Sequence, residues 1–144
     1  MASPELIAQD GALYAFHKPS GFAAHPQGDE AIPDLLTWAK AELGVELAPI
    51  HRLDRETTGI VLLAKRDEAA KELRRLWENR KVQKNYWAIV HGHVAEMEGL
   101  IDEPLGKDEN SEVAVKDCVR PDGAEAQTRF STRRQFSREE TDFT

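Results

Sequence analysis

An apolar block, Ile60–Ala64, constrains the fold of this chain more than any other feature of its sequence. Five consecutive apolar residues are too few for a typical helix, and they are typical of a strand that is buried on both faces. The block follows directly on a charged segment, His51–Gly59, in which Asp54 stands between Arg52 and Arg55. A buried strand is therefore expected to anchor one end of a loop that carries a carboxylate between two cations.

Length and composition favour one globular domain over residues 1–144. The chain has 144 residues and is 40% hydrophobic, which suffices for a single core. No apolar run approaches the roughly 20 residues that cross a bilayer, and Met1–Glu5 lacks the basic and apolar parts of a secretion signal. The lone Cys118 cannot form an internal disulfide, which favours a cytoplasmic location. No membrane partner is expected.

The charge of the chain is unevenly distributed. Its net charge of -7 argues against a general polyanion binder, yet residues 65–84 contain eight basic residues against four acidic ones. Two interpretations stay open for this stretch: a solvated helix face, or a surface that contacts nucleic acid.

Apolar spacing and turn residues predict an α+β fold with a mixed, mainly antiparallel sheet and flanking helices. One helix is expected to begin near Pro33 and to end at Gly44, and a second is expected to be capped by Asp67 and to bury an apolar stripe that ends at Trp77. Besides Ile60–Ala64, the pattern predicts strands at Leu13–Phe16, Val82–Val90, Val113–Val115, Ala126–Ser131 and Asp142–Thr144.

The residue types of the loop allow several kinds of chemistry. Positive charge on both sides favours the ionised form of Asp54, which suits a nucleophile or a cation stabiliser better than a general acid. The two arginines could equally hold a phosphate backbone. The competing interpretation is an ion-paired loop in which Asp54 only satisfies its neighbours.

The loop and two other segments closely resemble one enzyme family. His51–Gly59 with the following apolar block resembles the central motif of the RluA-type pseudouridine synthases, which isomerise uridine in RNA. Lys18–Gly21 is similar to the family's upstream Lys-Pro-x-Gly turn, and Lys84–Gly92 is similar to its Lys-x-Tyr-x-Ala-x-Val-x-Gly strand. The resemblance extends over nearly the whole chain from about Leu13.

The resemblance implies a role for three residues. Asp54 matches the family's catalytic aspartate, Arg52 the arginine associated with base flipping, and Tyr86 the tyrosine that packs against uracil. Isomerisation needs neither a metal nor another cofactor, and the expected partner is a structured ribosomal or transfer RNA rather than DNA. Whether Asp54 attacks the ribose, attacks the base or abstracts a proton stays open at this point.

The resemblance also implies that part of the family's catalytic domain lies beyond this chain. The family continues past the equivalent of Asp142–Thr144 into a segment similar to Thr-Gly-Arg-x-His-Gln-Ile-Arg. The chain is therefore expected to be the N-terminal portion of that domain, to have an incomplete sheet, and to be weakly active or inactive alone. A truncated, non-catalytic RNA-binding remnant is the alternative.

Several other residues have simpler explanations than a functional one. His91 and His93 could share a strand face for metal binding, but exposed histidines are expected. Glu56 could form a carboxylate pair with Asp54, yet the neighbouring arginines offer it simpler partners. The three tryptophans are expected in the core rather than as base-stacking platforms, namely Trp38, Trp77 and Trp87.

Overall fold

The chain was analysed as a computed structural model that describes residues 2–29, 31–65, 67–111 and 116–144. Within these residues the fold comprises two compact units, which divide between Lys84 and Asn85. Both helices belong to the first unit, and the second is built from short strands.

A four-stranded antiparallel sheet forms the centre of the first unit. Its strands are β1 (Glu5–Asp10), β2 (Leu13–Lys18), β3 (Ala48–Pro49) and β4 (Gly59–Ala64), arranged in the order β1-β2-β4-β3. A tight turn joins β1 to β2, and Gly11 in that turn has φ of 55°, which glycine adopts without steric cost. The register of β2 on β4 runs from Leu13 opposite Ala64 to Lys18 opposite Gly59. This register brings the end of β2 beside the end of the charged loop.

Helix α1 (Leu35–Leu43) covers one face of this sheet. Asp34 caps its N-terminus, with Oδ1 accepting a 2.9 Å hydrogen bond from the Thr37 N–H, and Gly44 ends it in the left-handed conformation. The predicted helix is thus confirmed, whereas the Asp34 cap was not predicted. The buried cluster under α1 consists of Tyr14, Phe16, Leu35, Ala39, Leu53, Val61 and Leu63.

Helix α2 (Asp67–Glu78) packs against the opposite face. Ala64 and Ala70 are fully buried there with Ile50, and the partly buried residues around them include Leu62, Leu73 and Trp77. The helix begins at the predicted residue, but the side chain of Asp67, and with it the predicted cap, lies outside the described residues. Strand β4 is therefore covered from both sides, as its composition predicted.

The prediction of two-sided burial is wrong at one end of β4. Ile60 is 59% exposed, and its cross-strand neighbour His17 is also exposed. Alternation places Ile60 on the α2 face, but α2 packs on Leu62 and Ala64 and leaves the loop-side end of the strand uncovered.

In its described residues, the second unit consists of three antiparallel strand pairs. Strand β5 (Glu98–Asp102) pairs with β8 (Gln127–Ser131), β6 (Leu105–Lys107) with β7 (Asp117–Val119), and β9 (Phe136–Arg138) with β10 (Thr141–Phe143). The strands predicted at Ala126–Ser131 and Asp142–Thr144 are confirmed to within one residue. The strand predicted at Val113–Val115 lies outside the described residues.

The prediction of a strand at Val82–Val90 is wrong for most of its length. In the described part of the chain, Val90 alone in this segment pairs through its backbone, exchanging hydrogen bonds of 2.9 and 3.0 Å with Thr144. Trp87 is 86% exposed, so its predicted place in the core is also wrong, whereas Trp38 and Trp77 pack against the two core clusters as expected. Apolar alternation indicates a strand but cannot supply its ladder partner.

The α+β class with mainly antiparallel strands is confirmed. Every pairing between the named strands is antiparallel, and the parallel contact found in the described residues is an isolated bridge between Ala23 and Asp34. Neither α1 nor α2, the helices of the described residues, is long and apolar enough to cross a membrane.

Candidate active site

The loop His51–Gly59 is fixed to the first unit at both ends and in its middle. Ile50 precedes it in the core and donates a backbone hydrogen bond of 3.2 Å to Leu62 O, while Gly59 begins β4. Leu53 is buried in the cluster under α1, and a turn follows it, closed by the Thr57 N–H bond to Asp54 O at 3.1 Å. The loop backbone is therefore anchored while its charged side chains reach the surface.

A fully buried lysine at the end of β2 forms a hydrogen bond with the backbone of the loop. Lys18 Nζ donates hydrogen bonds to Pro19 O at 3.1 Å, Phe22 O at 2.7 Å and Arg55 O at 2.9 Å. Arg55 O also accepts the Gly21 N–H at 3.0 Å. One ammonium thus joins the Lys18–Gly21 turn to the charged loop, which lies 37 residues further along the chain.

Burial lowers the pKa of Lys18, because the charged form loses its hydration. The negative charges of Glu56 and then of Asp54 act in the opposite direction. The electrostatic influence of Asp54 on Lys18 links the exposed carboxylate to a buried cation, and sequence analysis did not identify this link. The signal in the sequence was a lysine, Lys18, at the end of an apolar strand and directly before a proline. The residues around Lys18 do not indicate that Arg55 is its partner.

Asp54 and Arg52 are brought together by the loop, as the sequence predicted. Asp54 Oδ1 lies 3.7 Å from Arg52 Nη2, and the two side chains are 74% and 66% exposed. An ion pair this exposed contributes at most about 1 kcal/mol. Both groups can therefore exchange this contact for a ligand at little cost.

The neighbouring charged residues, Arg55 and Glu56, form an ion pair with each other. Arg55 Nε lies 2.7 Å from Glu56 Oε1, and Ser20 Oγ donates a 3.0 Å hydrogen bond to Glu56 Oε2. The bonds from Arg55 and Ser20 lower the pKa of Glu56. The expected pairing of Glu56 with an arginine is confirmed, and Asp54 remains the carboxylate at the tip of the loop.

His51 connects the start of the loop to β4 and α2. Its Nε2 accepts a 3.1 Å hydrogen bond from the Leu62 N–H, which requires an unprotonated Nε2. The ring stacks on Trp77 with centroids 4.4 Å apart and planes 9° apart. Burial is the main cause that lowers the pKa of His51; the Lys84 charge lowers it further, and a hydrogen bond with the Arg52 backbone raises it. The geometry and the pKa shift agree on a neutral ring.

Tyr86 belongs to the second unit, in the irregular segment before Val90. Tyr86 is 63% exposed. No group of three or more His, Cys, Asp or Glu side chains in the described ranges is arranged to hold a metal ion.

Comparison with known proteins identifies the family. Residues 12–143 match the family described as RNA pseudouridylate synthase. A tRNA pseudouridine synthase C of Pasteurella multocida is 39% identical over 103 residues, which cover 70% of this chain and 42% of that protein. A ribosomal large subunit pseudouridine synthase C of Vibrio cholerae is 33% identical over 135 residues, which cover 92% and 41%.

A solved structure agrees with the sequence comparisons. Human RNA pseudouridylate synthase domain containing 4 superposes with a TM-score of 0.65 at 28% identity, covering 96% of this chain and 56% of the human one. The chain spans less than half the length of the two bacterial relatives. The match over residues 12–143 includes both the loop that carries Asp54 and the segment that carries Tyr86, and the chain belongs to the RNA pseudouridylate synthase family.

Proposed function

We propose that this protein isomerises uridine to pseudouridine in ribosomal or transfer RNA, with Asp54 as its catalytic carboxylate. One observation carries the proposal: the Asp54 carboxylate is 74% exposed beside an exposed arginine, on a loop whose backbone is held by the buried Lys18. An anchored backbone under an accessible carboxylate is the arrangement that a reacting group requires.

The proposed reaction needs no atom from outside the substrate except exchangeable protons. The bond from uracil N1 to ribose C1′ breaks, a bond from C5 to C1′ forms, and the hydrogen leaves C5 while N1 gains a proton. Asp54 can assist by bonding to C1′, by adding to the base or by accepting the C5 proton. Each route uses the ionised carboxylate, and none calls for a metal or a redox cofactor.

A role in substrate binding is proposed for each of Arg52 and Tyr86. A base inside folded RNA must leave its stack before N1 and C1′ become accessible, and the exposed Arg52 guanidinium can occupy the space that it leaves. Tyr86 offers an exposed ring for stacking on uracil and a hydroxyl that can form a hydrogen bond. Since the family match runs across both compact units, we also propose that both belong to one catalytic domain. The cytoplasm is the location proposed for it.

The test measures tritium release from RNA labelled at uracil C5, because each converted uridine loses its C5 hydrogen. Unmodified transfer and ribosomal transcripts are incubated with protein in excess, so that even slow conversion is observed in a single turnover. We expect release by the wild-type chain and none by Asp54→Asn, which keeps the size of the side chain and removes its charge. Asp10→Asn makes the same chemical change at an exposed position on β1 and serves as the control.

Two results would contradict the proposal. Tritium release that survives Asp54→Asn would remove Asp54 from the chemistry. RNA binding of equal strength by both proteins, without release from either, would instead indicate a non-catalytic RNA-binding protein.

A further inference from the structure

The C-terminal end of α2 carries a cluster of exposed cations. Its members, which we call the basic end of α2, are Arg75, Arg80, Lys81 and Lys84. One acidic residue, Glu78, lies within the same ten residues, although the whole chain has a net charge of -7. No described carboxylate forms an ion pair with Arg75, Lys81 or Lys84. The segment in which α2 ends is therefore positively charged, in contrast to the chain as a whole.

The basic end is held against the start of the candidate active-site loop. Trp77, in the last turn of α2, stacks on His51 with 4.4 Å between ring centroids. Arg74 Nε donates a 2.8 Å hydrogen bond to Pro49 O, just before the loop. The charge of Lys84 acts on His51, the residue next to Arg52. The last turn of α2, from which these cations follow, is therefore packed against the start of the loop.

An arginine, Arg80, occupies a left-handed position at the end of α2, where glycine is usually preferred. Arg80 N–H donates to Trp77 O at 3.0 Å and Lys81 N–H to Leu76 O at 2.8 Å, the pattern of a Schellman motif. Arg80 occupies the left-handed position of this motif with φ of 52°. Glycine adopts that conformation without a Cβ penalty, so an arginine at this position strains the backbone.

Interaction with the helix dipole does not account for the whole cluster. Cations in the last turn of a helix are favourable, but the effect fades beyond that turn. Lys84 lies six positions after Glu78, where α2 ends. A surface that receives an external anion accounts for all four residues.

We infer that the basic end of α2 binds the phosphate backbone of the RNA beside the uridine that enters the site. This inference rests on the proposed function. The cations act on phosphates and carry no sequence information, so they strengthen binding to every RNA that fits the site. They are binding groups, and none of them takes part in bond breaking.

The test measures the affinity for a uridine-containing RNA hairpin between about 50 and 200 mM salt. Affinity falls as salt rises, and each lost phosphate contact makes the slope of log affinity against log salt shallower by about 0.7 to 0.9. We expect the slope of the double variant Lys81→Gln with Lys84→Gln to be shallower than that of the wild type by about 1.4 to 1.8. Lys65→Gln makes the same kind of change before the other end of α2, about 16 Å away along the helix, and should leave the slope unchanged.

Arg80→Gly separates binding from folding. It should raise the melting temperature, because glycine fits the left-handed position, and should weaken RNA binding at the same time. A purely structural arginine would not give this combination. Binding of wild-type strength by the more stable Arg80→Gly would overturn the role of Arg80, and an unchanged slope in the double variant would overturn the surface as a whole.

Tritium release distinguishes failure of this inference from failure of the proposed function. At limiting protein, the double variant should convert uridine more slowly than the wild type, because it binds the RNA more weakly. Conversion by the wild type with an unchanged salt slope in the double variant would refute the phosphate surface alone. A reduced slope without conversion by any protein would refute the isomerase and leave the surface standing.

Discussion

Replacing Lys18 by methionine should disturb the candidate active site without touching any exposed group. Methionine has a similar length, but it cannot donate the three hydrogen bonds that Lys18 Nζ makes to Pro19 O, Phe22 O and Arg55 O. Arg55 O keeps the Gly21 N–H as a partner. The carbonyls of Pro19 and Phe22 lose the hydrogen bond that the structure gives them.

The expected cost follows from these two carbonyls. A buried acceptor without a partner costs about 1 to 3 kcal/mol, which gives about 2 to 6 kcal/mol for the pair. Removing the buried charge offsets part of this cost, as the lowered pKa of Lys18 indicates. We therefore expect Lys18→Met to reduce the free energy of unfolding by about 2 to 4 kcal/mol.

Urea unfolding measures this loss, and amide hydrogen exchange locates it. Exchange of the Gly21 amide should accelerate, because its bond to Arg55 O is part of the same connection. Tritium release should fall by about 10²-fold if Asp54, one residue before Arg55, moves by about 1 Å. Lys40→Met is the matched control: the Lys40 ammonium is exposed and pairs with the exposed Glu46, so the substitution should cost less than about 1 kcal/mol.

The reasoning fails if Lys18→Met lies within about 0.5 kcal/mol of the wild type and leaves Gly21 exchange unchanged. Such a result would mean that water or a backbone shift satisfies the two carbonyls. The loop would then be held mainly by Leu53 and by its junction with β4.

Two further predictions concern His51 and Asp34. The folded-state pKa of His51 is lowered, so below its ordinary value of 6.5 the unfolded chain binds a proton that the folded chain does not. Urea midpoints should therefore fall as the pH drops from about 7.5 to 5.5, and His51→Phe, which keeps a ring for stacking, should show a smaller fall; equal falls in both proteins would contradict this. Asp34→Ala removes the acceptor of the Thr37 N–H at the start of α1 and should cost about 1 kcal/mol in thermal unfolding, whereas an unchanged melting temperature would show that water replaces the cap.

The elements that the sequence predicted correctly are those with a strong local signal. Gly44 ends α1 where its left-handed conformation is required, and Ile60–Ala64 forms β4 with the addition of Gly59. Charge spacing within the loop placed Arg52 beside Asp54. Each of these features depends on residues close together in the chain, so periodicity and residue type suffice to predict it.

Errors occurred where a partner distant in the chain decides the outcome. Val82–Val90 alternates like a strand, but in the described residues only Val90 has a backbone partner, in Thr144. Ile60 belongs to an apolar block, yet α2 does not reach it. The short strand β1, absent from the prediction, has one partly buried residue and becomes a strand by pairing with β2.

The sequence by itself determined the family, the position of the charged loop and the candidate catalytic carboxylate, because these are properties of a contiguous motif. Tertiary structure decided how that loop is held: the β2–β4 register brings the buried Lys18 beside it, and the packing of α2 brings Trp77 onto His51. Strand register and helix docking depend on the whole core rather than on neighbouring residues. For that reason the motif could name Asp54, whereas only the fold could show what fixes it in place.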